Sequence, residues 1–368
     1  MPLHDNPLRR SIEVEYWVTD TEGRLTEPGE LADLEGAERE FVEPMVEIKT
    51  TPCESNAELR EELLGRIRAV VRRAEEIDKR LVPLSTPLNH STVEQLDSDR
   101  TRIQQEAIGS DFQYVRHCAG THIHFEQQPG RTLEQYNTLV ALDPALALVN
   151  SAQHFRGEGI AASARSKLYR RLAYRRLDNQ GQLWPYLDSL AAWDRRLETC
   201  YAAFRELALE AGVDRDRIEA SFDPESAVWT PVQLRAKFNT VEWRSPDTAL
   251  PSDILRLAET MADIVDKLRT AEVRIDGETG HVGDDEIVLP EFEAVTDYVD
   301  KAVESGLSAP GVEAYLDRMG FDVAAYEPRC QAFDIGSRIS EPEARSHRLD
   351  HAAALREDVG RTASMEAN

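Results

Sequence analysis

Lysine is nearly missing from this chain. Its 368 residues hold six, Lys49, Lys79, Lys167, Lys237, Lys267 and Lys301, while the formal net charge is −25. A surface of that sign repels phosphate-rich partners, which excludes nucleic acid and anionic membranes as direct ligands. It also repels itself, and salt near 1 M, where the Debye length falls to roughly 3 Å, screens that repulsion. Scarce lysine with a carboxylate excess therefore reads as adaptation to a halophile cytosol.

Cysteine is sparse too. Cys53, Cys118, Cys200 and Cys330 are far apart and form no C-x-x-C pair, so neither a zinc cluster nor a disulfide framework is indicated. No apolar run approaches the ~18 to 20 residues that span a bilayer, and residues 1–10 are polar. No P-loop motif occurs, and the G-x-G-x-x-A string from Gly157 follows a helical pattern where a dinucleotide fingerprint needs a strand. Length alone suggests about two domains. Because no Gly/Ser-rich or Pro-rich linker interrupts residues 11–330, the reading is one catalytic domain over 1–334. Residues 335–368 read as a polar, mobile or loosely helical tail. The protein is expected in the cytoplasm, with homo-oligomerisation left open.

What the sequence does contain is a set of ionisable side chains two residues apart in strand-like runs. Glu13 and Glu15 flank Val14, His122 and His124 flank Ile123, and Glu242 and Arg244 flank Trp243. Side chains at i and i+2 of a strand share a face, so each run offers a polar pair on one side and apolar groups on the other. Glu40, Glu43 and Glu47 add carboxylates beside Val42, Met45, Val46 and Ile48. Each pair alone reads equally as a solvated strand face or as two structural histidines. Two neighbouring glutamates on a strand repel, however, and a bound cation removes that penalty. The H-x-H pair beside carboxylates suits zinc or iron as well. Arg165, Lys167, Arg170, Arg235 and Arg244 supply a cradle for phosphate and carboxylate. Together these segments outline a metal and phosphate site.

Between the strands, helical patterns dominate. Ser55 and Glu58 have the capping-box form before Leu59, Leu63, Ile67, Val70, Ala74 and Ile77 at helical spacing. Asp143-Pro144 reads as a helix start continuing to residue 155, and further helices are expected over 189–211 and 253–273. The fold class is α+β, with helices layered on one face of a mostly antiparallel sheet.

Four segments, SIEVEY (11–16), EFVEPMVEIKT (40–50), AGTHIHF (119–125) and TVEWRSPD (240–247), resemble in order the motifs of the glutamate–cysteine ligase superfamily, in its compact bacterial and archaeal carboxylate–amine ligase branch. The resemblance implies a curved sheet of about six strands, glutamine-synthetase-like, with helices on its outer face. It implies ATP and Mg²⁺ or Mn²⁺, used to join the glutamate γ-carboxylate to the cysteine amine through an acyl phosphate, as a step of thiol biosynthesis. By the same resemblance Glu13, Glu15, Glu40, Glu47, His122 and Glu242 are metal ligands. Glu242 and Arg244 are catalytic, with Arg244 facing the transferred phosphoryl group. Arg235 and Arg244 hold the nucleotide, and Arg165 binds a substrate carboxylate; His124 and Glu43 receive no role. Two alternatives stay open: a ligase for a different amine, and a cupin-like metal oxygenase using His122, His124 and a glutamate.

The charge reading predicts that dialysis from concentrated KCl into dilute buffer unfolds the protein. Far-UV circular dichroism checks this, and an unchanged spectrum in dilute buffer would remove the halophile reading.

Overall fold

The computed structural model describes residues 7–333 and 337–366. Its first nine strands in chain order are β1 (Arg10–Asp20), β2 (Ala37–Arg39), β3 (Met45–Lys49), β4 (Lys79–Val82), β5 (Thr121–Glu126), β6 (His154–Phe155), β7 (Glu158–Gly159), β8 (Val232–Arg235) and β9 (Thr240–Trp243). Seven of them build one antiparallel sheet in the order β2-β3-β1-β5-β9-β8, with β4 pairing the far half of β1; β6 and β7 form a separate hairpin. The long β1 is the axis. Its first half carries the polar pairs and its second half continues into the core through Tyr16, Trp17 and Val18.

Register decides what meets on the polar face. Glu13 lies between Lys49 of β3 and His122 of β5, and Glu15 lies opposite Glu47. His124 lies between Ser11 of β1 and Glu242 of β9, which in turn faces Gln233 of β8. A slip of one residue would turn all of these groups to the other side. It would also expose Ile12, Val14, Ile48, Ile123, Phe125, Val241 and Trp243, all without solvent exposure. Each such aliphatic or aromatic side chain contributes about 1.5–3 kcal/mol by burial, so the apolar face holds the polar face in register.

That apolar face is covered by the helices Asn56–Glu76, Thr132–Ala141 and Pro251–Lys267. The first begins as the sequence predicts, with the Ser55 side chain accepting from the Glu58 N–H. The reciprocal bond goes one residue further back, from the Glu54 N–H to the Glu58 carboxylate. The segment after Asp143-Pro144 differs from expectation. It is a short 3-10 turn, Asp143–Val149, buried on all sides, and the chain then enters β6. The helix expected to reach residue 273 stops at Lys267, and Val273 belongs to the strand Glu272–Ile275 of a small three-stranded sheet.

The tail takes the helical form of the two expected, and it is packed instead of loose. Residues 335, 336, 367 and 368 lie outside the described residues, but Glu341–Glu366 form a helix against β4 and the helix Asn56–Glu76. Ala344, Arg348, Ala352, Leu355 and Val359 are buried, a stripe at helical spacing sparse enough to read as polar. Arg348 pairs with Glu341 at 3.0 Å, so its charge is partnered inside the interface. The turn after β1 fits under this helix because Gly23 has φ +75 and no side chain; a Cβ there would lie 2.6 Å from the Arg345 carbonyl oxygen. Gly212, at φ +91, has nothing within 4 Å of a Cβ. Both Gly23→Ala and Gly212→Ala incur left-handed strain of ~1–2 kcal/mol. Gly23→Ala should lose measurably more in chemical denaturation, because the helix must also shift; equal losses would show that this contact does not hold it.

Candidate active site

The strand register brings every sequence-predicted metal ligand to one place. Donor atoms of Glu13, Glu47 and His122, of Glu13, His124 and Glu242, and of Glu15, Glu40 and Glu47 form three groups, each with its atoms within 4.8 Å of one another. Glu13 and Glu47 belong to two groups each, so the three are contiguous. Glu43, by contrast, is exposed.

The electrostatics divide along the row. Burial, then the Glu15 charge, pushes the Glu40 carboxyl up to about 7. Burial and Glu40 likewise hold Glu47 well above the ordinary carboxylate range, and burial raises Glu15 against the pull of Arg165. At the other end burial is outweighed. His122 and His124 hold the Glu13 carboxyl down, and Arg244 with both histidines draws Glu242 down to about 2. Burial and Arg244 lower His122 to about 4, leaving a neutral imidazole, which is the ligating form. Carboxylates repelling one another beside the neutral His122 imidazole form a donor set that a divalent cation would complete. A protein cation already sits at the edge: the Lys49 ammonium is 2.6 Å from Glu47 and 3.8 Å from Glu13.

A cavity of about 450 Å³ opens over this face, lined by Glu13, Glu15, Glu40, Glu47, His122, Arg235 and Arg244. Its lining also includes Phe41, Phe112, Tyr174 and the stacked pair Tyr169 and Trp229, whose ring centroids are 4.4 Å apart. A second cavity of about 230 Å³ adjoins at Glu13, lined also by Arg10, Ser11, His124, Phe238 and Thr240.

The arginine cradle expected from sequence is halved. Arg244 is ion-paired with Glu242, Arg235 lies 3.3 Å from the same carboxylate, and both line the larger cavity. The others do not. Lys167 turns away to Glu304 at 2.8 Å, and Arg170 is buried against Asp143 at 2.8 Å. Arg165, read as a binder of substrate carboxylate, lies behind the wall, donating to the backbone oxygens of Ser245 and Arg244 at 3.0 and 3.1 Å. Of the three, Arg165 and Arg170 hold the chain just after β9 at residues 244–245 instead of lining the cavity.

This support is specific. Asp143 accepts from Trp243 Nε1 at 2.9 Å and from the Ser245 hydroxyl, while Arg170 donates to Ser245 Oγ at 2.9 Å. Arg244 thus stands between two residues whose side chains are tied to one buried carboxylate. In the sequence Asp143 reads as a helix start, although a charged residue heading an apolar run is a signal of its own. Lys49 was equally readable, two residues beyond Glu47 on the same strand face. Trp229 carried no such signal.

Residues 4–295 match the model of glutamate-cysteine ligase family 2. The chain belongs to that family. Membership in glutamate-cysteine ligase family 2 supports a carboxylate–amine ligase and gives the oxygenase alternative no support. Among solved structures it is similar to a bifunctional glutathione synthetase from Pasteurella multocida, with TM-score 0.56 and 16% identity over 96% of this chain and 50% of that one, so it spans half of that protein's length. It is also similar to a glutamate–cysteine ligase from Francisella tularensis in complex with AMP, with TM-score 0.48 and 13% identity over 100% and 95% of the two chains. A glutamine synthase homologue matches with TM-score 0.38 and 11% identity, over 98% and 68%. No curated protein sequence matches the chain. The α+β fold with its antiparallel sheet is the one expected from sequence.

Gly120 permits the arginine support. A Cβ there would meet the Arg165 guanidinium at 2.1 Å. Gly120→Ala should displace Arg165 and with it the Arg244 backbone, lowering ligase turnover well before it lowers the melting temperature. Gly65→Ala, in open space within a helix, should leave turnover unchanged and add about 0.5–1 kcal/mol of stability. Full turnover in Gly120→Ala would show that Arg165 does not position Arg244.

Proposed function

We propose that this protein is an ATP-dependent ligase that joins the γ-carboxylate of glutamate to the amine of cysteine, giving γ-glutamylcysteine. The observation that carries this reading is the convergence of Glu13, Glu15, Glu40, Glu47, His122 and Glu242 on one sheet face, beside Arg244, in a member of this family. These six side chains would hold the divalent cations, Mg²⁺ or Mn²⁺, which neutralise nucleotide phosphate when bound.

The protein's own groups supply the remainder. The glutamate γ-carboxylate attacks the γ-phosphorus of ATP, ADP leaves, and an acyl phosphate forms. Two anions must approach, so charge gathers on the phosphoryl oxygens, where the Arg244 guanidinium offers fixed donors. Ion pairing with Glu242 and the Arg165 clamp on its backbone hold Arg244 in place before substrate arrives. Arg235, beside the same carboxylate, adds a second cation for the nucleotide. The cysteine nitrogen then attacks the acyl carbon, phosphate departs, and the nitrogen loses a proton. A carboxylate of the site can take that proton. No protein nucleophile is needed, in keeping with four buried cysteines whose thiols take no part.

A second reading keeps the chemistry and changes the amine. Phe41, Tyr169, Tyr174 and Trp229 add aromatic side chains to the cavity lining. An amine with a bulkier apolar side group would find contacts there. The four free cysteines suit the reducing cytoplasm, and the acidic surface suits concentrated salt.

Purified full-length protein in concentrated KCl, with ATP, Mg²⁺, glutamate and a panel of amines, should release ADP in a cysteine-stimulated manner. Stimulation by another amine alone selects the second reading, and no ADP release with any amine overturns both. Arg244→Ala should lower kcat on the order of 10²- to 10³-fold with the circular dichroism spectrum retained; an unchanged kcat would remove Arg244 from phosphoryl transfer.

A further inference from the structure

The strand Glu272–Ile275 forms an edge of the small three-stranded sheet. It pairs in parallel with Glu286–Leu289, whose other side is taken by His281–Val282, and among the described residues no strand lies on its own far side. The Glu272 and Asp276 N–H groups donate to the Asp285 and Leu289 oxygens, each at 2.9 Å. Successive residues of a strand turn their backbone groups to opposite sides, so the N–H and C=O of Val273 and Ile275 point to the open side. Proline, lysine or a bulge commonly blunts such an edge. Residues 272–275 have none of these, and Ile275 is 44% exposed, one of three large apolar side chains so exposed among the described residues.

We propose that this edge receives the same edge of a second copy of the chain, antiparallel about a two-fold axis at Ile275, so that two three-stranded sheets become one across a homodimer. Antiparallel pairing sets residues with like-directed backbone groups opposite one another, which leaves Val273, Arg274 and Ile275 as places for the axis. Charge and backbone bonding choose among them. With the axis at Arg274, two guanidinium groups face each other and Glu272 faces Asp276 of the other copy, a like-charge pairing throughout. With the axis at Val273, Ile275 falls opposite Ala271, whose N–H donates to the Lys267 oxygen and whose C=O accepts from Arg131, both at 2.9 Å. With the axis at Ile275, each Arg274 faces Asp276 of the other copy, the same residue type and number it is ion-paired with in its own. The two Ile275 residues then exchange both backbone hydrogen bonds and cover one another's side chains. Gly277, at φ +64, turns the chain away beyond Asp276, so the pairing ends there. The charge order along this edge is thus complementary to its own reverse, which is what a second copy presents and an unrelated strand does not. Few residues take part, which places the dimer among small, reversible interfaces.

The test is sedimentation velocity of the full chain in concentrated KCl across a concentration series. The native protein should pass from monomer to dimer. Ile275→Lys, which sets two ammonium groups on the axis, should stay monomeric at every concentration with its circular dichroism spectrum retained. Ile275→Cys should give a disulfide-linked dimer under mild oxidation, because the Cα atoms of a hydrogen-bonded antiparallel pair lie about 5.5 Å apart, within disulfide reach. Leu190→Cys, at a similarly exposed position elsewhere on the surface, should not. If Ile275→Lys fails to fold, the two cysteine variants decide the matter, and absence of a link through Ile275→Cys overturns the proposal. A native protein that remains monomeric throughout, or a dimer that survives Ile275→Lys, overturns it as well. Sedimentation does not depend on turnover, so this outcome stands apart from that of the ligase reading.

Discussion

Mutual repulsion among the glutamates of one sheet face is the constraint that the rest of the structure answers. Glu13, Glu15, Glu40, Glu47 and Glu242 are brought together by pairing of β1, β3, β5 and β9, in a place where water screens them poorly. Nothing local favours this. It is held by the opposite face of the same strands, where Ile12, Val14, Ile48, Ile123 and Trp243 are sealed under helices. Burial of apolar surface offsets electrostatic cost, and the sheet transmits one to the other because alternate residues cannot change sides independently.

The compensating charges come in two tiers. Lys49, Arg235 and Arg244 touch the carboxylates directly. Behind them Arg165 and Arg170 touch no site carboxylate, but grip the backbone and hydroxyl of residues 244–245, and Asp143 neutralises Arg170 inside the core. A buried pair of this kind adds little net stability, since desolvation offsets attraction. Its effect is geometric. It leaves the chain after Trp243 one permitted path, and that path aims Arg244 into the cavity.

Much of this was readable from alternation. The i, i+2 pairs in β1, β5 and β9 announced both the strands and the face their polar groups share, and the helix after Ser55 followed from its cap and its apolar spacing. Depth was not readable. Arg165 and Arg244 are the same residue type a strand apart, and only packing puts one in the cavity wall and the other behind it. The 3-10 turn at Asp143–Val149 escaped because a segment buried on every side has no amphipathic period to detect. The packing of the terminal helix escaped for the opposite reason. Its buried stripe is alanine, one valine, one leucine and an arginine whose charge is paired internally, so composition understated its packing.

Glu13 lines both cavities and belongs to two of the three donor groups. A single side chain in that position makes the two chambers thermodynamically dependent. Whatever draws its carboxylate toward one compartment changes the welcome offered in the other, and by linkage the influence runs equally in both directions. A ligand that displaces this carboxylate in one cavity would therefore also alter the lining of the other.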